Sequence, residues 1–143
     1  MADLRSANVA LTKHPLVAVF IGGTSGIGEY TLRSLASNHG STGAGLRVYI
    51  VGRNTVAAEK IIADCRRLAP SGEFYFLQAA DLSLIKDVDE CCRELVDLER
   101  QKAGSAAARI DLLVMSQGIL LFGGRKGILF NHITKVSMLD ANS

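Results

Sequence analysis

The seven residues Gly22-Gly23-Thr24-Ser25-Gly26-Ile27-Gly28 stand between a β-branched apolar run and a stretch with helical spacing. That setting leaves few folds open. Glycine after a strand lets the backbone turn sharply and approach a ligand closely, where a Cβ would collide. The first N–H groups of the helix that follows have no partner inside the helix and face any anion placed before them. Residues 16–28 therefore read as strand, glycine turn and helix start, and the ligand such a turn holds is the pyrophosphate of a dinucleotide. Thr24 and Ser25 offer hydroxyl donors to the same oxygens, and the helix dipole adds about 0.3–1 kcal/mol.

The rest of the chain alternates in the same way. Residues 16–21 (Leu-Val-Ala-Val-Phe-Ile) form a short continuous apolar run, as a buried parallel strand does. A helix from Gly26 to about Asn38 carries Ile27, Tyr30, Thr31 and Leu35 at helical spacing, and a glycine- and serine-rich loop follows over 39–45. A second strand covers 46–51. Asn54 is a fitting N-cap for a helix with Ile61, Cys65 and Leu68 on one face, ended by Pro70-Ser71-Gly72. A third strand covers 73–78. Ser83 is the expected cap of the next helix, which bears Leu84, Val88, Cys91, Leu95 and Leu98 as an apolar stripe and stops near Gly104. A fourth strand covers 110–116.

Such alternation predicts an α/β fold: a Rossmann-type, doubly wound parallel sheet of strand order 3-2-1-4 with helices on both faces. Ligands of such sheets bind beyond the carboxyl ends of the strands, at the switch point between strands 1 and 4. Here those ends are Gly22 to Gly28 and Ser116 to Gly118. The expected organisation is an N-terminal arm over 1–15, a dinucleotide-binding half over 16–118 and a divergent tail over 119–143.

Composition excludes several other classes. A chain of 143 residues with 48% apolar and 21% charged residues suits one globular domain. A net charge of +2 gives no reason to expect nucleic acid or an anionic membrane as partner. The six-residue run 16–21 is far short of the roughly 20 apolar residues a membrane span needs. Asp3 precedes it, and it enters the glycines without a cleavage site, so a cytoplasmic protein is expected. Cys65, Cys91 and Cys92 form no CxxC, and His14, His39 and His132 are not at zinc-site spacing from them. The expected role for Cys91 is core packing, with no metal site.

The end of the second strand bears on the choice of cofactor. A site that prefers NAD commonly holds the ribose 2′-hydroxyl with Asp or Glu about 20 residues past the glycines. Residues 46–54 contain no carboxylate and run out in Gly52-Arg53-Asn54. Arg53 can pair with a 2′-phosphate, and a charge-assisted pair of that kind contributes roughly 1.5–3 kcal/mol. Arg47 and Arg33 are weaker candidates for the same role. NADP(H) is expected over NAD(H).

With these motifs in order, the chain resembles the cofactor-binding half of the short-chain dehydrogenase/reductase family. The family's TGxxxGxG appears as residues 21–28, with Ile21 in place of the threonine. Its Asp-Leu after strand 3, which contacts adenine, matches Asp81-Leu82. Its NNAG after strand 4 matches Met115-Ser116-Gln117-Gly118, with only the glycine kept and with Ser116 and Gln117 able to hydrogen-bond. The resemblance spans about residues 15 to 124. It implies a nicotinamide cofactor held by Gly22, Thr24, Ser25, Gly26, Ile27, Gly28, Arg53, Asn54, Asp81, Leu82, Gln117 and Gly118. The implied activity is hydride transfer between nicotinamide and a carbonyl or alcohol substrate.

The family's catalytic Tyr-x-x-x-Lys has no counterpart: Tyr30, Tyr49 and Tyr75 are followed four residues later by Ser34, Arg53 and Ala79. No catalytic residue is therefore assigned, and a small carbonyl or alcohol substrate is expected only if a missing half is supplied. Phe130-Asn131-His132 resembles the family's helical asparagine but lies too close to Gly118. Leu129, Ile133, Val136 and Met138-Leu139 have the spacing of a short amphipathic helix. The expectation is a truncated oxidoreductase, with a silent dinucleotide-binding or partner-binding domain as the alternative. Strand 4 would then be an edge, giving a marginally stable chain prone to self-association.

Overall fold

The computed structural model describes residues 3–118. The tail over 119–143, with Asn131, His132 and the spacing from Leu129 to Leu139, lies outside the described residues.

The element order is α1 (Leu4–Thr12), β1 (Leu16–Ile21), α2 (Gly26–His39), β2 (Leu46–Gly52), α3 (Thr55–Leu68), β3 (Glu73–Gln78), α4 (Ile85–Ala103) and β4 (Leu112–Met115). All pairings are parallel, and the sheet order is β3-β2-β1-β4. The expected α/β architecture and strand order are observed.

Alternate residues of the buried strands feed two cores, because successive side chains of a strand point to opposite faces. Ala18, Phe20, Val48, Ile50 and Phe74 pack under α2 and α3, against Leu32, Ala36, Ile61, Ile62 and Cys65. Val17, Val19, Tyr49, Val51 and Leu77 pack on the opposite face, where Leu95 of α4 is buried with Cys91 and Leu98 beside it. Helices thus cover both faces. β4 pairs only with β1 among the described residues, and its Leu113 and Met115 are exposed.

Residues 4–12, within the expected arm, form α1, which lies against α2 and stops before Pro15, a residue that cannot continue a helix. Several local expectations are corrected. The apolar face of α2 is not the expected one. Ile27 and Tyr30 are 79% and 77% exposed and Thr31 is exposed, while Gly28, Leu32, Ala36 and His39 are buried. The first turn sets this rotation: Gly28 must face the glycine turn and β4, and Leu32 and Ala36 follow it at steps of four. On α3 the buried face is Ala58, Ile61, Ile62 and Cys65, with Leu68 exposed at its last position. On α4, Leu84 and Val88 are exposed, so the stripe packs only from Cys91 onward.

The fourth strand is shorter than expected. Asp111 replaces a ladder partner with its side chain: Oδ2 accepts from the Val17 N–H at 2.8 Å, and its own N–H donates to Val17 O at 2.9 Å. Arg109 fixes that corner, donating to Asp111 Oδ1 and to Pro15 O at 2.7 Å each. Regular pairing then begins at Leu112. Among the described residues, no helix is long and apolar enough to cross a membrane.

Candidate functional site

The carboxyl ends of the four strands open into a cleft of about 460 Å³. The glycine turn forms its floor. The Gly22 N–H donates to Val51 O at 2.9 Å, so the chain leaves β1 still tied to β2. Gly22 has φ of +85°, and a Cβ there would stand 2.7 Å from the Gln117 backbone nitrogen. No other residue type fits that position without moving β4. Gly28 is packed equally closely: a Cβ would meet the Ser116 hydroxyl and stand 2.5 Å from Gly22 O. Ser116 closes this junction. Its N–H donates to Ile21 O at 2.9 Å, and its hydroxyl lies 3.3 Å from Ile21 O and 3.2 Å from Gly22 O as donor. The serine in the NNAG-like segment thus supports the turn through hydrogen bonds.

α2 begins at this floor. Ser25 is extended at the N-cap and makes no side-chain capping bond, so its hydroxyl remains open to a ligand. The first α2 residues have N–H groups without partners inside the helix, and the dipole favours an anion there. The space around Gly26 is clear, with no heavy atom within 4 Å of where a Cβ would stand. A pyrophosphate fits this cradle: an open approach, backbone donors, and the Thr24 and Ser25 hydroxyls at its rim.

The β2 and β3 ends form the adjoining wall. Gly52 lies against Thr24, whose methyl would be 2.9 Å from an added Cβ, and Gly52 O accepts from the Ala79 N–H at 2.9 Å. Gln78 Nε2 donates to Arg53 O at 3.4 Å. The Arg53 guanidinium makes no ion pair with a carboxylate among the described residues. The two weaker arginine candidates are occupied elsewhere. Arg33 pairs with Glu29 and Asp64, and Arg47 with Glu73 and Glu99 at the amino ends of the strands.

After β3, Asp81 is fixed by its neighbours. Ser83 donates to Asp81 Oδ1 twice, from its N–H at 2.9 Å and its hydroxyl at 2.7 Å, and the Asp81 N–H donates to Asp87 Oδ2 at 3.1 Å. Those Ser83 bonds, with a smaller attraction to Arg53, hold the Asp81 carboxyl below its ordinary value. Ser83 is therefore not the expected cap of α4. The N-cap is Leu84, without a side-chain bond, because the serine is committed to Asp81. Asn54 does cap its helix, accepting from the Ala57 N–H at 3.0 Å.

Of the expected residues, Gly22, Thr24, Ser25, Arg53, Asp81, Leu82, Gln117 and Gly118 line the cleft together. Gly26, Ile27, Gly28 and Asn54 are not part of its lining; Gly28 lies beneath it, and Asn54 is engaged as a cap. Gly52, Ser83 and Ser116 line it as well, although none of them was among the residues expected to hold the cofactor. The Ser-x-x-Asp spacing of 83–86 is lacking, so only the Asp-x-Ser pattern of residues 81–83 carried a signal for the Asp81–Ser83 contact. Among the described residues no group of His, Cys, Asp and Glu could hold a metal.

No family model matches the chain. It is 37% identical over 131 residues to a short-chain dehydrogenase/reductase of Stachybotrys chartarum, covering 88% of this chain and 37% of that protein. It is 37% identical over 126 residues to an oxidoreductase of Emericella nidulans, covering 87% and 34%. The chain thus spans about a third of the length of the curated relatives it matches. Among solved structures it is similar to a short-chain dehydrogenase/reductase family protein, with TM-score 0.55, 25% identity, and 91% and 48% of the two chains covered. It also resembles YwfH, an NADPH-dependent reductase involved in bacilysin biosynthesis, with TM-score 0.56 and 20% identity over 73% of this chain and 35% of that one.

Proposed function

This chain belongs to the short-chain dehydrogenase/reductase family, and from that premise we propose that it is the NADP(H)-binding part of an oxidoreductase. One observation carries the reading: Gly22 and Thr24 of the glycine turn, Ser25 at the N-cap of α2, Arg53, Asp81 and Gln117-Gly118 converge on one cleft at the switch point of the sheet. The cradle at Gly26 takes the pyrophosphate, and the Arg53 side of the cleft takes the adenosine. Arg53 supplies the positive charge that a 2′-phosphate requires, and no carboxylate on β2 competes for the ribose. The NADPH dependence of the structurally similar YwfH supports the same choice. When bound, a nicotinamide dinucleotide supplies or accepts a hydride, and the corresponding substrate is a small carbonyl or alcohol.

A second reading, a silent dinucleotide-binding domain, is favoured by the placement of the tyrosines. Tyr49 and Tyr75 donate to Glu99 and Glu73 at the other end of the sheet, and Tyr30 lies on the outer side of α2; none lines the cleft. Titrating the 143-residue protein with NADPH and NADH, then assaying NADPH oxidation with carbonyl substrates, separates the two. Binding with turnover supports the oxidoreductase, binding without turnover the silent domain, and no binding overturns both. The outer edge of β4, unpaired among the described residues, is a further proposed contact, for a second copy of the chain. Sedimentation at rising concentration tests it, and a monomer throughout would rule it out.

A further inference from the structure

We propose that Asp81 opposes Arg53, so that the charge balance between them sets the preference for a 2′-phosphate. The inference rests on the reading of the cleft as a dinucleotide site.

Both residues line the same cleft, one from the end of β2 and the other from the end of β3. Each is held there by contacts that leave its charge unspent. Asp81 takes both Ser83 bonds on Oδ1, and Oδ2 has no hydrogen-bond partner among the described residues. Arg53 is held through its backbone oxygen by Gln78, and its guanidinium has no carboxylate within ion-pair distance among the described residues. The two charges nevertheless feel one another, since attraction to Arg53 is one of the causes that lower the Asp81 carboxyl. They are therefore unpaired with each other and face a common space, the Asp81 carboxylate fixed by Ser83 and the exposed Arg53 side chain extending from a fixed backbone.

The consequence follows from Coulomb's law. A 2′-phosphate brings close to two negative charges at neutral pH, by analogy with other phosphate monoesters. It gains from Arg53 and is repelled by Asp81. A ribose 2′-hydroxyl carries no charge and is insensitive to the balance. Asp81 thus narrows the gap between the phosphorylated and unphosphorylated dinucleotides without belonging to the arginine's own element. Removing its charge at constant shape should widen that gap about three- to tenfold, the range for a charge several ångströms away in a solvent-open cleft.

The experiment measures dissociation constants for NADPH and NADH on wild type, Asp81→Asn and Asp81→Ser, with thermal melts to verify folding. The expected result is a rise of about three- to tenfold in the ratio of the NADH constant to the NADPH constant in whichever variant folds. That rise should shrink in high salt, because the repulsion is screened. Loss of affinity for both cofactors in equal proportion would assign Asp81 a uniform contact and overturn the proposal, as would a ratio unchanged by salt. Wild-type protein that binds neither dinucleotide refutes the cleft assignment and this inference with it. Wild-type binding with a ratio that does not move refutes this inference alone.

Discussion

The Tyr49 phenol donates a 2.6 Å hydrogen bond to the Glu99 carboxylate, joining β2 to α4 across 50 positions of sequence. Arg47 completes the contact, donating to the two Glu99 oxygens at 3.2 and 3.1 Å. Glu99 is only 1% exposed, and these bonds satisfy its carboxyl oxygens where water does not reach them. Tyr75 stacks on Tyr49 with centroids 5.6 Å apart, and Lys102 sits 4.9 Å above the Tyr75 ring. The cluster clamps α4 to the sheet from the end opposite the cleft.

Breaking one side of such a cluster costs more than the cluster contributes, since the remaining partners stay buried. Glu99→Ala should lower unfolding free energy by roughly 3 kcal/mol, and Tyr49→Phe by about 1–2 kcal/mol. Urea unfolding of the two variants measures both. A Glu99→Ala midpoint equal to wild type would show that the cluster is not formed in solution.

Alkaline stability follows from the same burial. Burial first, then the Glu99 bond, pushes the Tyr49 phenol well above its ordinary value, and burial pushes the Cys65 thiol up from 9.0 to about 11. Both groups are neutral in the fold at a pH where the unfolded chain ionises them. Their contribution is therefore complete below the unfolded values and is lost as pH rises, from about 9 for the thiol and about 10 for the phenol. Stability should fall above pH of about 9, and Cys65→Ala and Tyr49→Phe should each flatten that slope. Melting temperatures across the alkaline range provide the check, and parallel slopes for wild type and both variants would contradict it.

Thiol labelling tests the core more directly. Cys92 is exposed, Cys91 is partly buried on the sheet-facing side of α4 and Cys65 is fully buried. Burial also raises the Cys91 thiol. Because the thiolate is the reactive form, alkylation should modify Cys92 first, Cys91 more slowly and Cys65 only on unfolding. Mass spectrometry of time points reads the order, and early modification of Cys65 would place it outside the core.

The strands, their order, the glycine turn and the Asn54 cap were legible because each depends on local pattern. Apolar runs bounded by turn residues mark buried strands, and an Asn before a helical stretch has a specific bond to make. What failed depended on size or distance. The buried face of α2 is built on Gly28 and Ala36, which carry almost no hydrophobic signal, while the larger Ile27 and Tyr30 point outward. Ser83 had two possible partners, the start of α4 and Asp81, and only the fold shows that Asp81 holds it. Glu99 gave no sign of burial, because Arg47 and Tyr49, which make it tolerable, are about 50 positions away.

The junction beneath the cleft makes Gly28 a strict test of the turn. An alanine there would place its methyl against the Ser116 hydroxyl and 2.5 Å from Gly22 O, a backbone oxygen that cannot yield cheaply. Gly28→Ala should cost roughly 1–3 kcal/mol of stability through overpacking. It should also weaken dinucleotide binding, since relief of the clash moves the turn. Combining it with Ser116→Gly removes one of the two obstacles and should restore part of the loss. Thermal melts of the single and double variants give the answer, and a single variant as stable as wild type would contradict the close packing.

Arg53 carries the cofactor assignment, and its removal separates charge recognition from the rest of the cleft. The guanidinium lines the cleft without an ion pair among the described residues, so its truncation leaves no buried carboxylate stranded and should not disturb the fold. Arg53→Ala should weaken NADPH binding by about ten- to a hundredfold, the equivalent of one charge-assisted pair, and change NADH binding by less than about threefold. The salt dependence of NADPH binding should also flatten, because a screened phosphate contact has gone. Titration of each cofactor at two ionic strengths measures all of this. Equal loss for both dinucleotides would mean that Arg53 contacts a part they share, and the preference for NADP(H) would then need another source.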